Sequence, residues 1–188
     1  MSCIHCLSGA RNSKSSPQRA VTFCAMILWK NRYKISGEMA VEIKEVRNHK
    51  KQYLSLLLLG NEQEEMIDRY LERGTMYVLL DGGSVKSECV VTDEGNGILE
   101  IKNIATDPDC QGKGYGKALI EFISETYRGR YSVLQAGTGD SPLTIPFYEK
   151  CGFHRSHVVK NFFIDHYDHP IYEDGIQLVD MIYLRKKL

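Results

Sequence analysis

Residues 111–117 read QGKGYGK, three glycines and two lysines placed directly ahead of the apolar stretch ALIEFI. The first turn of a helix leaves N–H groups unpaired and carries partial positive charge, so an anion set there is stabilised. Glycine lets such an anion approach the main chain, Lys113 and Lys117 add charge beside the amides, and Gln111 can position the loop. Phosphate binding is the chemistry this suggests. Two common phosphate patterns do not fit. The P-loop needs GxxxxGK followed by Ser or Thr, whereas Gly116-Lys117 is followed by Ala118 and the first glycine is missing. The dinucleotide fingerprint GxGxxG fails because Gly112, Gly114 and Gly116 are spaced GxGxG. What remains is Gln111-x-x-Gly114-x-Gly116, preceded by the apolar run NIAT and the turn Asp107-Pro108-Asp109. Over these residues alone, a glycine-rich helix start with a solvated charged face would read the same.

The elements that must hold this loop can be read from periodicity. Val41 to Arg47 alternates as a half-buried strand, and His49 to Leu59 turns helical and is stopped by Gly60. Glu62 to Arg73 carries Met66, Ile67, Tyr70 and Leu71 at helical spacing, with Gly74 as its stop. Met76 to Leu80 and Val85 to Thr92 flank Asp81-Gly82-Gly83 as a hairpin, and Ile98 to Thr106 adds a third antiparallel strand. Lys113 to Tyr127 places Tyr115, Leu119, Ile120, Phe122 and Ile123 on one helical face. Tyr131 to Ala136 follows as a strand, a series that makes parallel neighbours. Ser141 to Lys150 reads as a brief helix, Gly152 to Val159 as a strand, Phe162 to Asp168 as a helical or irregular segment, and Ile176 to Arg185 as a final strand. The order predicts an α/β fold around a mixed, mostly antiparallel central sheet of about six to seven strands, flanked by helices.

Composition narrows the partners. The 188 residues carry no net charge, yet residues 1–38 hold six Lys/Arg against Glu38 alone, which leaves 18 basic and 23 acidic residues in the remainder, a net of −5. A mildly acidic body argues against nucleic acid and fits a cationic or amine-bearing ligand. Six cysteines without framework spacing indicate reduced thiols in a cytoplasm; Cys3-Ile4-His5-Cys6 could begin a zinc site, but no second pair completes it, so no metal is expected. The apolar run Val21 to Trp29 is too short to span a bilayer, and KNRYK follows where a cleavage site should be, so neither export nor membrane insertion is expected. From Met39 the text changes to AVEIKEV. We therefore expect residues 1–38 to be an extension and the folded domain to span 39–188.

A second motif specifies the reading. Phe147-Tyr148-Glu149-Lys150-Cys151-Gly152-Phe153 lies downstream of the loop, and together the two resemble the pyrophosphate loop and the later tyrosine-helix motif of the GNAT (GCN5-related) N-acetyltransferases. The resemblance covers Met39 to Leu188. The LLLLG run, Gly137-Thr138-Gly139 and the ending FFIDHYDHPIYEDGIQLVDMIYL further resemble a small bacterial subgroup, some of whose members are labelled indole-acetic-acid acetyltransferases.

That resemblance implies an acyltransferase with acetyl-CoA as co-substrate, bound where the fourth and fifth strands counted from Met39 splay apart. Pantetheine would pair with the main chain of Ile104, Ala105 and Thr106. The pyrophosphate would sit on Gln111, Gly112, Lys113, Gly114, Tyr115 and Gly116, beside Lys117. Tyr148 matches the tyrosine that donates to the coenzyme sulfur; a phenol is protonated at neutral pH and suits a general acid. Glu100 is the candidate general base, although alternation puts it on one face with Lys102, where an ion pair is the plain reading; Asn103 is an alternative for orienting the acceptor. Where the family often carries Asn, this chain has Gly139-Asp140-Ser141-Pro142, with Asp140 and Pro142 suited to starting a helix. Tyr167, Tyr172, Asp165 and Asp168, within Asn161 to Asp174, form an acceptor wall for an amine cation, a homodimer surface or ordinary packing. The acceptor expected is a small-molecule amine or a protein amino group. The competing functions are a non-catalytic CoA-binding or regulatory module of the same fold, and a nucleotide phosphotransferase.

Overall fold

The alternation that begins at Met39 produces a strand, but the sheet starts before it. The computed structural model describes residues 32–35 and 39–188. Arg32–Ile35 (β1) pairs antiparallel with Met39–Val46 (β2), so four residues assigned to the extension form the edge of the sheet. β2 pairs with Thr75–Asp81 (β3), which turns through Gly82 and Gly83, both at positive φ (57° and 81°), into Ser84–Asp93 (β4). β4 pairs with Ile98–Thr106 (β5), and β5 with Val133–Gly139 (β6), the single parallel strand pair among the described residues.

Between β2 and β3 lie a 3₁₀ turn at Lys50–Tyr53 and two short helices, α1 (Leu54–Gly60) and α2 (Glu64–Leu71). Lys50 is largely buried, and its Nζ donates to the carbonyls of Leu71, Glu72 and Gly74 at 2.8, 3.2 and 2.7 Å. It thereby satisfies acceptors that the end of α2 would leave orphaned. The long helix α3 (Tyr115–Tyr127) connects β5 to β6, and α4 (Thr144–Lys150) follows β6. The two sides of the sheet have separate cores. Leu57, Ile67, Tyr70, Met76 and Val90 pack under α1 and α2, while Leu99, Ile101, Leu119, Ile123 and Leu134 pack with α3.

After α4 come His154–Val159 (β7), α5 (Phe162–His166), a hairpin of Tyr172–Glu173 (β8) and Ile176–Gln177 (β9), and Met181–Lys187 (β10). The expected strand Ile176 to Arg185 is thus two strands. Asp180 breaks it: its carboxylate accepts from the Asn161 N–H at 2.9 Å and from Lys160 Nζ at 2.6 Å, which turns the chain between them. β10 inserts between β6 and β7, giving the order β1-β2-β3-β4-β5-β6-β10-β7. Counted from Met39 this is a seven-stranded mixed sheet, antiparallel except for β5 and β6 and flanked by helices, as the sequence leads one to expect. No helix among the described residues is long and apolar enough to cross a membrane.

Candidate active site

Two sheet neighbours part company in the middle of the molecule. β5 pairs with β6 from Ile98↔Val133 only as far as Ile101↔Ala136. Past that point β5 keeps β4 as its partner out to Thr106, and β6 keeps β10 out to Gly139. The edges of residues 102–106 and 137–139 therefore face each other unpaired across a fork. A cavity of about 300 Å³ fills the fork, walled by Ile104, Gly137, Thr138, Phe147 and Tyr148 and open toward α1. An extended chain of amides can complete either edge as an added strand. Ile104 lies on the cavity wall, with Ala105 and Thr106 continuing the same open edge.

β5 bends into the fork by a bulge. Val90 pairs with Asn103 and Val91 with Ile101, so Lys102 is an extra residue without a partner on β4. The bulge changes which face each later residue presents. Leu99 and Ile101 belong to the core under α3, and so does Ile104, whereas Asn103 reaches the opposite side.

The glycine loop leads from the end of β5 to the start of α3. Asp107 Oδ1 accepts from the Asp109 N–H at 3.0 Å and closes the turn after Thr106. Gly112 and Gly114 have φ of 75° and 88°, a conformation that L side chains rarely adopt, and Gly114 caps α3. Gln111, Gly112 and Lys113 are exposed. At Gly116 a Cβ would stand 3.2 Å from Phe147 Cζ, so its bareness lets α3 and α4 approach at the fork. Lys113 Nζ donates to the Asp109 carbonyl at 3.2 Å, and Lys117 lies 3.7 Å from Glu121 on the solvent side of α3. Tyr115 turns its side chain inward, away from the loop. Its ring is buried, its hydroxyl donates to Asp81 Oδ2 at 2.5 Å, and that bond raises its pKa to about 12.

Tyr148 stands on α4 with its ring at the cavity wall, 6% exposed, set edge-to-face against Phe147 and Phe153 at 5.2 and 5.4 Å. Burial pushes its hydroxyl well above the ordinary phenol value, so it holds its proton throughout the physiological range. Asp140 does not cap α4; it accepts from Arg155 Nη2 at 3.4 Å, while Ser141 Oγ accepts from the Leu143 N–H at 3.1 Å.

Glu100 lies one residue before the fork opens and does not line the cavity. Its carboxylate accepts from Lys102 Nζ at 2.7 Å and from Gln135 Nε2 at 2.8 Å, and Gln135 in turn accepts from Arg185 Nε at 2.7 Å. This chain of contacts ties β5, β6 and β10 together at the closed end. Asn103, 3% exposed, borders the cavity and donates through Nδ2 to the Leu57 carbonyl and to Tyr70 Oη, both at 2.9 Å.

The sequence points to Tyr167 and Tyr172 as a wall of the site, while the residues across the cavity from them and a buried acid on β4 escape it. Asn61 and Glu62, in the turn between α1 and α2, form one lip of the cavity, and Tyr172 and Glu173 form the other. The Tyr167 hydroxyl donates to Asn61 Oδ1 at 3.3 Å across the opening, while Asp165 and Asp168 do not line the cavity. Glu88, on β4 opposite Ala105, is fully buried, and desolvation raises its carboxyl to about 8. Nothing in the local sequence SECVVT distinguishes Glu88 from a solvent-facing strand residue. Among the described residues no group of three or more His, Cys, Asp and Glu is arranged to hold a metal; the Cys3-His5-Cys6 cluster lies outside them.

Comparison with known proteins agrees with this geometry. The sequence model of the acetyltransferase (GNAT) domain matches residues 72–155, from the end of α2 to β7. An uncharacterised N-acetyltransferase of Bacillus subtilis, YvbK, is 34% identical over 149 residues, which are 78% of this chain and 95% of that protein. A GNAT acetyltransferase of Elizabethkingia anophelis, solved with acetyl-CoA bound, superposes with a TM-score of 0.75 at 33% identity, covering 79% of this chain and 98% of that one. An IAA acetyltransferase of Bacillus cereus superposes with a TM-score of 0.73 at 38% identity, covering 79% and 99%. The chain belongs to the GNAT family: it is an N-acetyltransferase, an acyltransferase whose co-substrate is acetyl-CoA.

Proposed function

We propose that this enzyme moves the acetyl group by direct attack of a primary amine on acetyl-CoA, both held in the fork at once. The observation that carries this is the pair of open strand edges beside a tyrosine that holds its proton. Pantetheine lies along Ile104, Ala105 and Thr106, which leads its pyrophosphate to Gln111, Gly112, Lys113, Gly114, Tyr115 and Gly116 at the mouth of α3, with Lys117 nearby. The thioester carbonyl is polarised by a main-chain N–H of the bulged segment. The amine nitrogen attacks that carbon, the C–S bond breaks, and sulfur leaves with its electron pair. Tyr148 donates to the departing thiolate, and the proton shed by the acylated nitrogen returns through water. Because the Tyr148 pKa is raised, the hydroxyl gives its hydrogen bond only as charge builds on sulfur. Glu100, already held by Lys102 and Gln135, keeps the closed end of the fork in register and acts as a positioning residue in place of a base. A covalent route through Cys151 is disfavoured, since burial raises its thiol pKa.

Replacing Tyr148 by Phe preserves the ring packing and removes only the hydroxyl. We expect kcat to fall by about a hundredfold while acetyl-CoA affinity, read by calorimetry, stays within about twofold. Unchanged kcat would remove Tyr148 from the mechanism, and absence of any thiol release in the wild type would favour a non-catalytic coenzyme-binding module. We place the enzyme in the cytoplasm, on the strength of the free cysteines Cys89, Cys110 and Cys151.

A further inference from the structure

The acceptor side of the cavity is lopsided in charge. Its lips carry Glu62 and Glu173, and the one Lys or Arg on its walls among the described residues is Lys102. That cation is already occupied, with Nζ 2.7 Å from Glu100 and 3.7 Å from Glu94. Glu62 has a more distant contact, His169 Nε2 at 4.0 Å, and Glu173 has no ion-pair partner among the described residues. Tyr167 and Tyr172 line the same cavity, and aromatic faces attract cations.

A second feature is independent of these acids. Asn103 turns both of its donor contacts inward, to Leu57 and Tyr70, and its Oδ1 is buried without a partner, against Gly60 on the cavity wall. That oxygen is closed off against Gly60, so Asn103 fixes the wall where α1 meets β5 and leaves recognition of a cation to the acids and the rings. The cavity of about 300 Å³ is continuous from the fork residues Ile104 and Tyr148 to Glu62 and Glu173.

We propose that the acceptor is a small dicationic amine of the diamine class: one nitrogen enters the fork past Asn103, while the second stays protonated at the mouth, held by Glu62, Glu173 and the rings of Tyr167 and Tyr172. This rests on the reading of the fork as the acetyl-transfer site. It goes beyond that reading by excluding two neighbours in chemical space. A monoamine of the same length leaves the two lip carboxylates unmatched, and an ω-amino acid brings a third carboxylate among them.

The test compares 1,4-diaminobutane, butylamine and 4-aminobutanoate, titrated calorimetrically into the full chain saturated with CoA. The diamine should bind about tenfold more tightly than butylamine, and 4-aminobutanoate most weakly. In the double variant Glu62→Gln, Glu173→Gln, the ratio of diamine to butylamine affinity should fall to within about twofold, with CoA affinity unchanged as evidence of an intact fold. Equal affinities in the wild type, a ratio unmoved in the double variant, or no diamine binding to protein that holds CoA would each overturn the proposal. Thiol release from acetyl-CoA separates the two levels of inference. Turnover of butylamine and the diamine with equal kcat/KM keeps acetyl transfer and removes the dication, whereas preferential diamine binding without turnover keeps the dication site and removes the transfer reading.

Discussion

Glu88 makes the stability of this enzyme fall as pH rises, and the size of the fall can be worked out. The residue is 0% exposed on β4, across from Val78 and Ala105, and neither carboxyl oxygen meets a donor in hydrogen-bonding geometry. Desolvation raises its pKa from 4.5 to about 8, with the Ala105 backbone amide pulling the other way. The folded state therefore binds this proton more tightly than the unfolded chain does. Below pH 4.5 the group is neutral in both states and its contribution to stability is fully present. As pH rises toward 8 the unfolded chain releases the proton and the folded protein does not, so stability is lost at ~1.4 kcal/mol per pH unit, and the loss saturates above 8. Integrated to pH 8, one such carboxyl costs about 4 kcal/mol, a large share of the ~5–15 kcal/mol that holds a domain together.

Glu88→Gln removes the ionisation while keeping nearly the same shape. Both the amide and the protonated acid carry the cost of buried polar atoms, so that part cancels between the two proteins. Urea unfolding of both at pH 5, 6.5 and 8 should give similar midpoints at pH 5 and a Glu88→Gln advantage that widens to about 4 kcal/mol at pH 8. A difference that stays constant within ~1 kcal/mol across that range would refute the reasoning, because it would mean that the carboxyl ionises in the fold as readily as in the unfolded chain.

Lys50→Met should leave the carbonyls of Leu71, Glu72 and Gly74 without their donor and lower stability by about 2–4 kcal/mol in the same assay, and a loss under ~0.5 kcal/mol would show that water replaces the ammonium freely. A chain beginning at Met39 should keep its circular dichroism spectrum, its acetyl-CoA affinity and its turnover, since β1 adds a single edge strand of four residues. Loss of any of these would move the domain boundary to include Arg32–Ile35.

Much of this could be read before any coordinates, where glycine marks an element's end. Ile98–Thr106 coincides with its expected span, α1 ends at Gly60, and the loop before α3 lies at Gln111 to Gly114. What could not be read is where alternation stops holding. A strict two-residue period from Leu99 and Ile101 puts Asn103 on the face of α3, whereas the bulge at Lys102 sends it to Leu57 and Tyr70 on the other. Glu88 escapes notice for a related reason. On a central strand covered on both sides, an acid in the polar phase of the pattern is as buried as the valines beside it, and local sequence does not announce the second layer. The lips at Glu62 and Glu173 are separated by most of the chain and meet only because β10 inserts beside β6 and carries the preceding hairpin back to the fork.

The fork explains why the legible signals lie around the site and not in it. An unpaired strand edge is ordinarily a liability at the rim of a sheet. Here two such edges occur inside, because β5 stays with β4 while β6 leaves with β10, so each strand has one partner where an interior strand has two. The open groups are main-chain N–H and C=O, which every residue but proline supplies alike, so Ile104, Ala105 and Thr106 need no particular side chains to meet a chain of amides. On the proposed reading, side-chain identity becomes decisive only at the two ends of the coenzyme arm: at the glycines, where a bulky anion would touch the main chain, and at Tyr148, where charge would appear on sulfur. Those two motifs stand out in the sequence for that reason; of the outer wall of the cavity, the stretch holding Tyr167 and Tyr172 is legible, whereas Asn61 and Glu62, brought to it by topology, are not.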